Sequence, residues 1–154
     1  MVPYDVFAKA FLSKISDYNL AMLEQYQQMD LVDSFLHTAC ARFSRLCGYD
    51  ITDAALDDTG RALLTEIPGN ALGEIVDIVS TGMVDAWMST YLHRQENLQN
   101  VLNTTDFHGY SPAELLKQVR VAQKQVYDQF IAQMRQYGYD NADPAALCVG
   151  GAGT

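Results

Sequence analysis

Three groups of residues carry side chains whose types and spacing could do chemistry. His37, Cys40 and Cys47 place three metal-donor side chains in one short stretch. Zinc sites gather such donors at Cys-x-x-Cys or His-Glu-x-x-His spacings, and neither spacing occurs. Cys40 and Cys47 follow the stripe of Leu36 and Phe43, with His37 at its edge, so core packing is the better reading. On one helix the two cysteine Cα atoms would stand about 10.5 Å apart, too far for a disulfide. Asp50, Asp53, Asp57 and Asp58 offer carboxylates to calcium. An EF-hand needs oxygen ligands at alternate positions and a glycine at the sixth, so this reads as a solvated loop. Asp106, His108 and Ser111 have the types of a nucleophilic triad. Ser111 is already explained as a helix cap, and closeness in sequence does not make a triad. The glycines at 150, 151 and 153 precede no helix that could hold a phosphate. The chain therefore reads as no enzyme, with no catalytic residue, metal or cofactor.

Helical periodicity dominates the elements that would position these groups. Tyr4, Phe7, Phe11, Leu12 and Ile15 recur at spacings of three and four behind Pro3, predicting a first helix to about Ile15. A second helix is predicted from about Ala21 to Leu46, with Leu23, Tyr26, Leu31 or Val32, Phe35, Leu36, Ala39, Phe43 and Leu46 on its stripe. Residues 48–70 hold Gly48, Gly60, Pro68 and Gly69 and read as a long acidic loop, with one helical turn from Thr59 to Thr65. Asn70 is the expected N-cap of a third helix running to about Tyr91, weakened by Gly73 and Gly82. A short helix or turn is expected around Gln95–Val101. Ser111-Pro112-Ala113-Glu114 is a capping box opening a last helix that Gly138 should end. Beyond it, residues 139–154 read as a flexible or extended arm. The fold class is all-α: a small bundle of about four helices over residues 1–138, with a long acidic loop and an extended C-terminal tail.

The 154 residues carry 19 acids and 10 bases, a net charge of -9. That balance disfavours a phosphate-neutralising surface and an anionic-membrane binder. Residues 1–49 hold -1, residues 50–106 hold -8 and residues 107–154 are neutral. Glu74, Asp77 and Asp85 fall on one arc of the third helix, opposite Ile75, Val79 and Met83. A solvated face is the plain reading; a surface that repels a polyanion or receives a basic partner is the functional one. The last helix differs, since Lys117, Arg120, Lys124 and Arg135 outnumber Glu114 and Asp128 there. No leader segment and no run long and apolar enough to span a membrane is visible. Three cysteines, an odd count, fit a reducing cytoplasm.

The order of segments resembles a family of small structural proteins of tailed bacteriophages and prophages of Gram-positive bacteria. The resemblance is carried by Tyr4-Asp5-Val6-Phe7 through Phe11 to Tyr18, by Phe35 to Phe43, and by Val84-Asp85-Ala86-Trp87-Met88 with Tyr91. Thr104-Thr105-Asp106-Phe107 and the closing stretch Leu115 to Tyr137 complete it, over about residues 4–137. Gly73, Gly82 and Pro68-Gly69 depart from the family's pattern, and the tail after Gly138 has no counterpart in it. The family is the head–tail connectors, also called adaptor or neck proteins. The resemblance implies a ring, typically of about twelve subunits, under the portal protein. Such a ring extends the DNA channel and docks the next neck or tail-completion protein. It implies residence in the virion neck, and in the host cytoplasm during assembly.

On that reading DNA slides past without specific binding, and an acidic lumen keeps the passage free. Asp50, Asp53, Asp57, Asp58, Glu74, Asp77 and Asp85 are the candidate channel-facing residues. Tyr139, Leu147, Cys148 and Val149 are the candidate arm toward the portal or a neighbouring subunit. The alternative is an acidic helical assembly chaperone that binds one phage protein. A small enzyme using the acidic loop is a third reading.

Overall fold

The computed structural model describes residues 1–15, 25–47, 56–93 and 112–141. Within them the chain runs β1 (Val2–Pro3), α1 (Tyr4–Lys14), α2 (Gln25–Cys47), β2 (Leu56–Asp57), β3 (Ala62–Leu63), α3 (Gly69–His93) and α4 (Pro112–Asp140). It is a small, mostly α-helical bundle with a minimal sheet at one end. No helix among the described residues is long and apolar enough to cross a membrane.

The apolar spacing decides which face each helix buries. Tyr4, Phe7 and Phe11 of α1 are buried, as spacings of three and four require for one face. Leu12, expected on that stripe, is 40% exposed. On α2 the buried set is Val32, Phe35, Leu36, Ala39, Cys40 and Phe43. On α4 it is Phe130, Met134 and Tyr137. Edge-on contacts join them: Phe11 meets Phe35 at 5.9 Å, and Phe43 tilts against Tyr137 at 5.5 Å.

Helix α3 is the centre. It packs against α1, α2 and α4, whereas α1 and α4 do not form a packed pair. Every residue from Ile78 to Ala86 is buried. A helix with neighbours all round has no free face for those residues to turn toward. The hydroxyls in this run are satisfied locally, Ser80 Oγ and Thr81 Oγ1 donating to the Asp77 carbonyl at 2.9 and 3.0 Å. Gly82 is there for close approach rather than as a weak point. A Cβ built on it would lie 2.6 to 2.9 Å from three ring carbons of Phe130.

Three local expectations are corrected. The stretch Thr59 to Thr65 makes no helical turn. Leu56–Asp57 and Ala62–Leu63 pair as an antiparallel hairpin, and β1 adds to β3 with Val2 opposite Leu63. Helix α3 begins one residue early, because the Pro68 carbonyl accepts the N–H groups of Ala71 and Leu72 at 2.9 and 3.1 Å. Asn70 therefore sits inside the first turn. Gly138 does not end α4. The end is closed at Asn141, whose backbone N–H and side-chain Nδ2 both donate to the Tyr137 carbonyl. Tyr139 thus stands on the last helical turn, 80% exposed. The other arm candidates, Leu147, Cys148 and Val149, lie outside the described residues, as does the expected turn at Gln95–Val101.

Candidate functional site

The densest cluster of polar side chains grows from the hairpin. Four residues, Asp58 to Arg61, join β2 to β3. Asp57 shapes this turn by accepting the Gly60 N–H on Oδ1 at 3.0 Å. A side chain at 60 would collide with it, since a Cβ would lie 2.4 Å from Asp57 Oδ2. Arg61 then adopts the left-handed conformation at φ 49°, which closes a four-residue hairpin loop.

In that conformation Arg61 meets three partners. Its carbonyl accepts the Tyr4 N–H at 2.9 Å, capping a helix whose N-cap residue, Pro3, offers no side-chain cap. Its guanidinium donates to Asp33 Oδ1 at 2.9 Å and stands 3.6 Å from Asp5. Next to it, Asp58 Oδ1 accepts the Tyr4 hydroxyl at 3.0 Å, and His37 Nε2 lies 2.8 Å from the same oxygen. The Tyr4 ring stacks edge-on against His37, with centroids 6.1 Å apart.

Of these, Asp33, His37, Asp58 and Arg61 line an open cleft of about 600 Å³ with Met29, Asp30 and Ser34. Burial, then the Asp58 hydrogen bond and charge, pushes the Tyr4 hydroxyl well above its ordinary range. Burial also raises the Asp33 carboxyl, with Arg61 pulling in the opposite direction. Three aspartates face one arginine and one histidine, so the cleft is acidic. Its polar groups largely bond one another. Among the described residues no group of His, Cys, Asp or Glu is arranged to hold a metal ion.

Two smaller polar sites bind α3 to its neighbours. Lys14 Nζ of α1 donates to Asp77 Oδ1, the Asp77 carbonyl and Thr81 Oγ1 at 2.8 to 2.9 Å. Gln133 of α4 donates to Asp77 Oδ2 at 2.9 Å. Deeper in the bundle, Asp85 is 1% exposed. It pairs with Arg42 of α2 and accepts from Gln123 of α4 at 2.6 Å.

The candidate acids therefore divide. Glu74, Asp77 and Asp58 reach solvent, although Asp58 and Asp77 are engaged as above. Asp57 is half-buried and committed to the turn. Asp85 is corrected outright: helices α2 and α4 enclose it, and it cannot line a channel. Asp50 and Asp53 lie outside the described residues, as do Asp106, His108 and Ser111. Of the metal-donor trio, Cys40 is buried in the core. Cys47 is half-buried and free, donating from Sγ to the Met134 carbonyl at 3.3 Å. His37 alone joins the cleft.

Sequence reading missed Tyr4, Asp33 and Arg61 as a unit. The local signal was present in Asp57-Asp58-Thr59-Gly60, a turn by its chemistry. The partners on α1 and α2 come together only in the folded chain. Compared with known proteins, the chain matches no family model, no curated protein and no solved structure.

Proposed function

We propose that this chain is a structural subunit of a bacteriophage neck, a head–tail connector that assembles as a ring beneath the portal. The ring extends the DNA channel and docks the next neck or tail-completion protein. The observation that carries the reading is the division of charge over one small helical bundle. Residues 50–106 hold -8 of the net -9, while the outer side of α4 carries four exposed cations, Lys117, Arg120, Lys124 and Arg135. DNA passing a basic lumen would be held through its phosphates, and an acidic lumen avoids this. Asp50, Asp53, Asp57, Glu74 and Asp77 are the lumen candidates in this reading, without the enclosed Asp85 and without Asp58, which lies in the cleft.

The test is composition and form of the particle. Mass spectrometry of purified virions should find the chain, and electron microscopy should show it as a ring bound to the portal. A chain present during assembly but missing from finished particles would favour the chaperone instead. For the arm, removal of residues 139–154 should weaken attachment to the portal; unchanged attachment would leave Tyr139, Leu147, Cys148 and Val149 without that role.

A further inference from the structure

We infer that the cationic outer face of α4 docks on the acidic cleft of a second copy of this chain, so that subunits join head to tail. The inference deepens the connector reading, on which closure of the chain of subunits into a ring rests.

The α4 face is built by spacing. At roughly 100° per residue, Lys117, Arg120, Lys124 and Arg135 fall within an arc of roughly 60°. All four are exposed. Asp128 borders the arc and reaches Lys124 at 3.6 Å, with both side chains largely in solvent, a pair of little strength. Among the described residues no salt bridge ties down Lys117, Arg120 or Arg135. Val121 and Tyr127, 53% and 41% exposed, flank the stripe with apolar surface. Cations beside an exposed aromatic and an aliphatic side chain make an unpartnered helix face with interface composition.

The complementary surface is built from other elements. The cleft between α2 and the hairpin carries Asp30, Asp33 and Asp58, with Asp5 beside Arg61. The two surfaces share no residue: the stripe lies on α4, and the cleft is lined by α2 and the hairpin. Opposite charge on two different patches decides the pairing. A two-fold contact centred on either patch would set like against like, cations on cations or acids on acids. Contact between unlike faces is heterologous, and such contacts propagate into a ring or a filament. Complementary charge fixes the partner and the register more than it sets the affinity.

The test is a charge swap on the full chain. Variant one carries K117E, R120E and K124E; variant two carries D5K and D30K. All five positions are exposed. Circular dichroism and thermal melting establish that each variant keeps its fold. By analytical ultracentrifugation at 100 µM, the wild-type chain should form oligomers at low salt and lose them at high salt. Each variant alone should associate at least about tenfold more weakly. An equimolar mixture should recover assembly, because one variant then presents acids on both faces and the other cations. A wild-type chain that stays monomeric overturns the inference. So do variants that associate as wild type, or a mixture that stays dissociated. Virion composition keeps the two readings apart. Head-to-tail assembly by a chain absent from particles sinks the connector reading alone. Presence in particles with assembly indifferent to the swap sinks this inference alone.

Discussion

Arg42 on α2 ion-pairs with Asp85 on α3, its own side chain 36% exposed and its partner's 1%. The pair is therefore lopsided: the arginine is half in water and the carboxylate has none. Losing the arginine strands a buried charge that only Gln123 still satisfies, whereas losing the carboxylate leaves an arginine free to turn outward.

Arg42→Ala should accordingly cost about 3 kcal/mol or more, and Asp85→Ala less. Replacing both with apolar residues of similar size, Arg42→Met with Asp85→Leu, should cost less than Arg42→Ala alone. Urea unfolding midpoints of the three variants check the order. A double replacement at least as damaging as the arginine loss would mean that the pair does more than cancel its own burial.

The two glycines of α3 should respond in opposite directions to alanine. At Gly73 nothing lies within 4 Å of an added Cβ, so helix propensity alone acts and Gly73→Ala should stabilise by about 0.5–1 kcal/mol. At Gly82 the same propensity gain meets the fully buried Phe130 ring. Overpacking costs about 1–3 kcal/mol, so Gly82→Ala should destabilise. Thermal melting decides it, and a Gly82→Ala chain that melts higher than wild type would show that the Phe130 ring gives way.

Burial pushes the Cys47 thiol up to about 11. The thiolate is the reacting form, so near pH 8 Cys47 should react with a disulfide reagent about a hundredfold more slowly than an ordinary thiol. The experiment uses Cys148→Ser protein to remove the third thiol, with the urea-unfolded chain as reference. The sign for stability follows. A raised thiol contributes stability that is complete below its ordinary value of 9.0 and is lost as pH rises through about 11. Equal rates for native and unfolded chains would show Cys47 to be open.

Asp33 gives an acid-side counterpart. Its carboxyl sits above the ordinary 3.8 through burial, and Arg61 restrains the rise. A raised carboxyl contributes stability present below 3.8 and lost as pH climbs through the raised value. Arg61→Ala removes the restraint, so the variant should lose more stability between pH 4 and pH 7 than wild type does. The strain of a side chain at positive φ is the same at both pH values and drops out of the comparison. Parallel pH slopes in urea unfolding would show that Arg61 does not hold Asp33.

Much of the bundle was legible because each outer helix has one face to bury. Tyr4, Phe7 and Phe11, or Phe130, Met134 and Tyr137, declare that face by spacing alone. The same arithmetic failed on α3. It placed Asp85 with Glu74 and Asp77 on a solvated arc, which assumes that opposite an apolar face there is water. With α1, α2 and α4 around it, α3 has protein there, and Asp85 survives because Arg42 and Gln123 arrive from other helices. The cleft was hidden for a related reason. Turn chemistry at Asp57 to Gly60 is local, but what Arg61 does depends on Tyr4 and Asp33, which are far away along the chain. At the far end of α4, a glycine was read as a stop where Asn141 does the closing.

The Arg61 carbonyl that caps α1 has a consequence in time as well as in space. The first turn of α1 waits for a group 57 positions further along the chain, and a hairpin must close before that group is presented. Closing a loop of that length precedes any return from the contact. Helix α1 should therefore dock after α2, α3 and α4 have come together. Stopped-flow kinetics on a Phe7→Ala chain should show this as faster unfolding with a nearly unchanged folding rate. A slowed folding limb would instead place α1 in the nucleus. On the expected outcome, the segment nearest the N-terminus is also the first to let go.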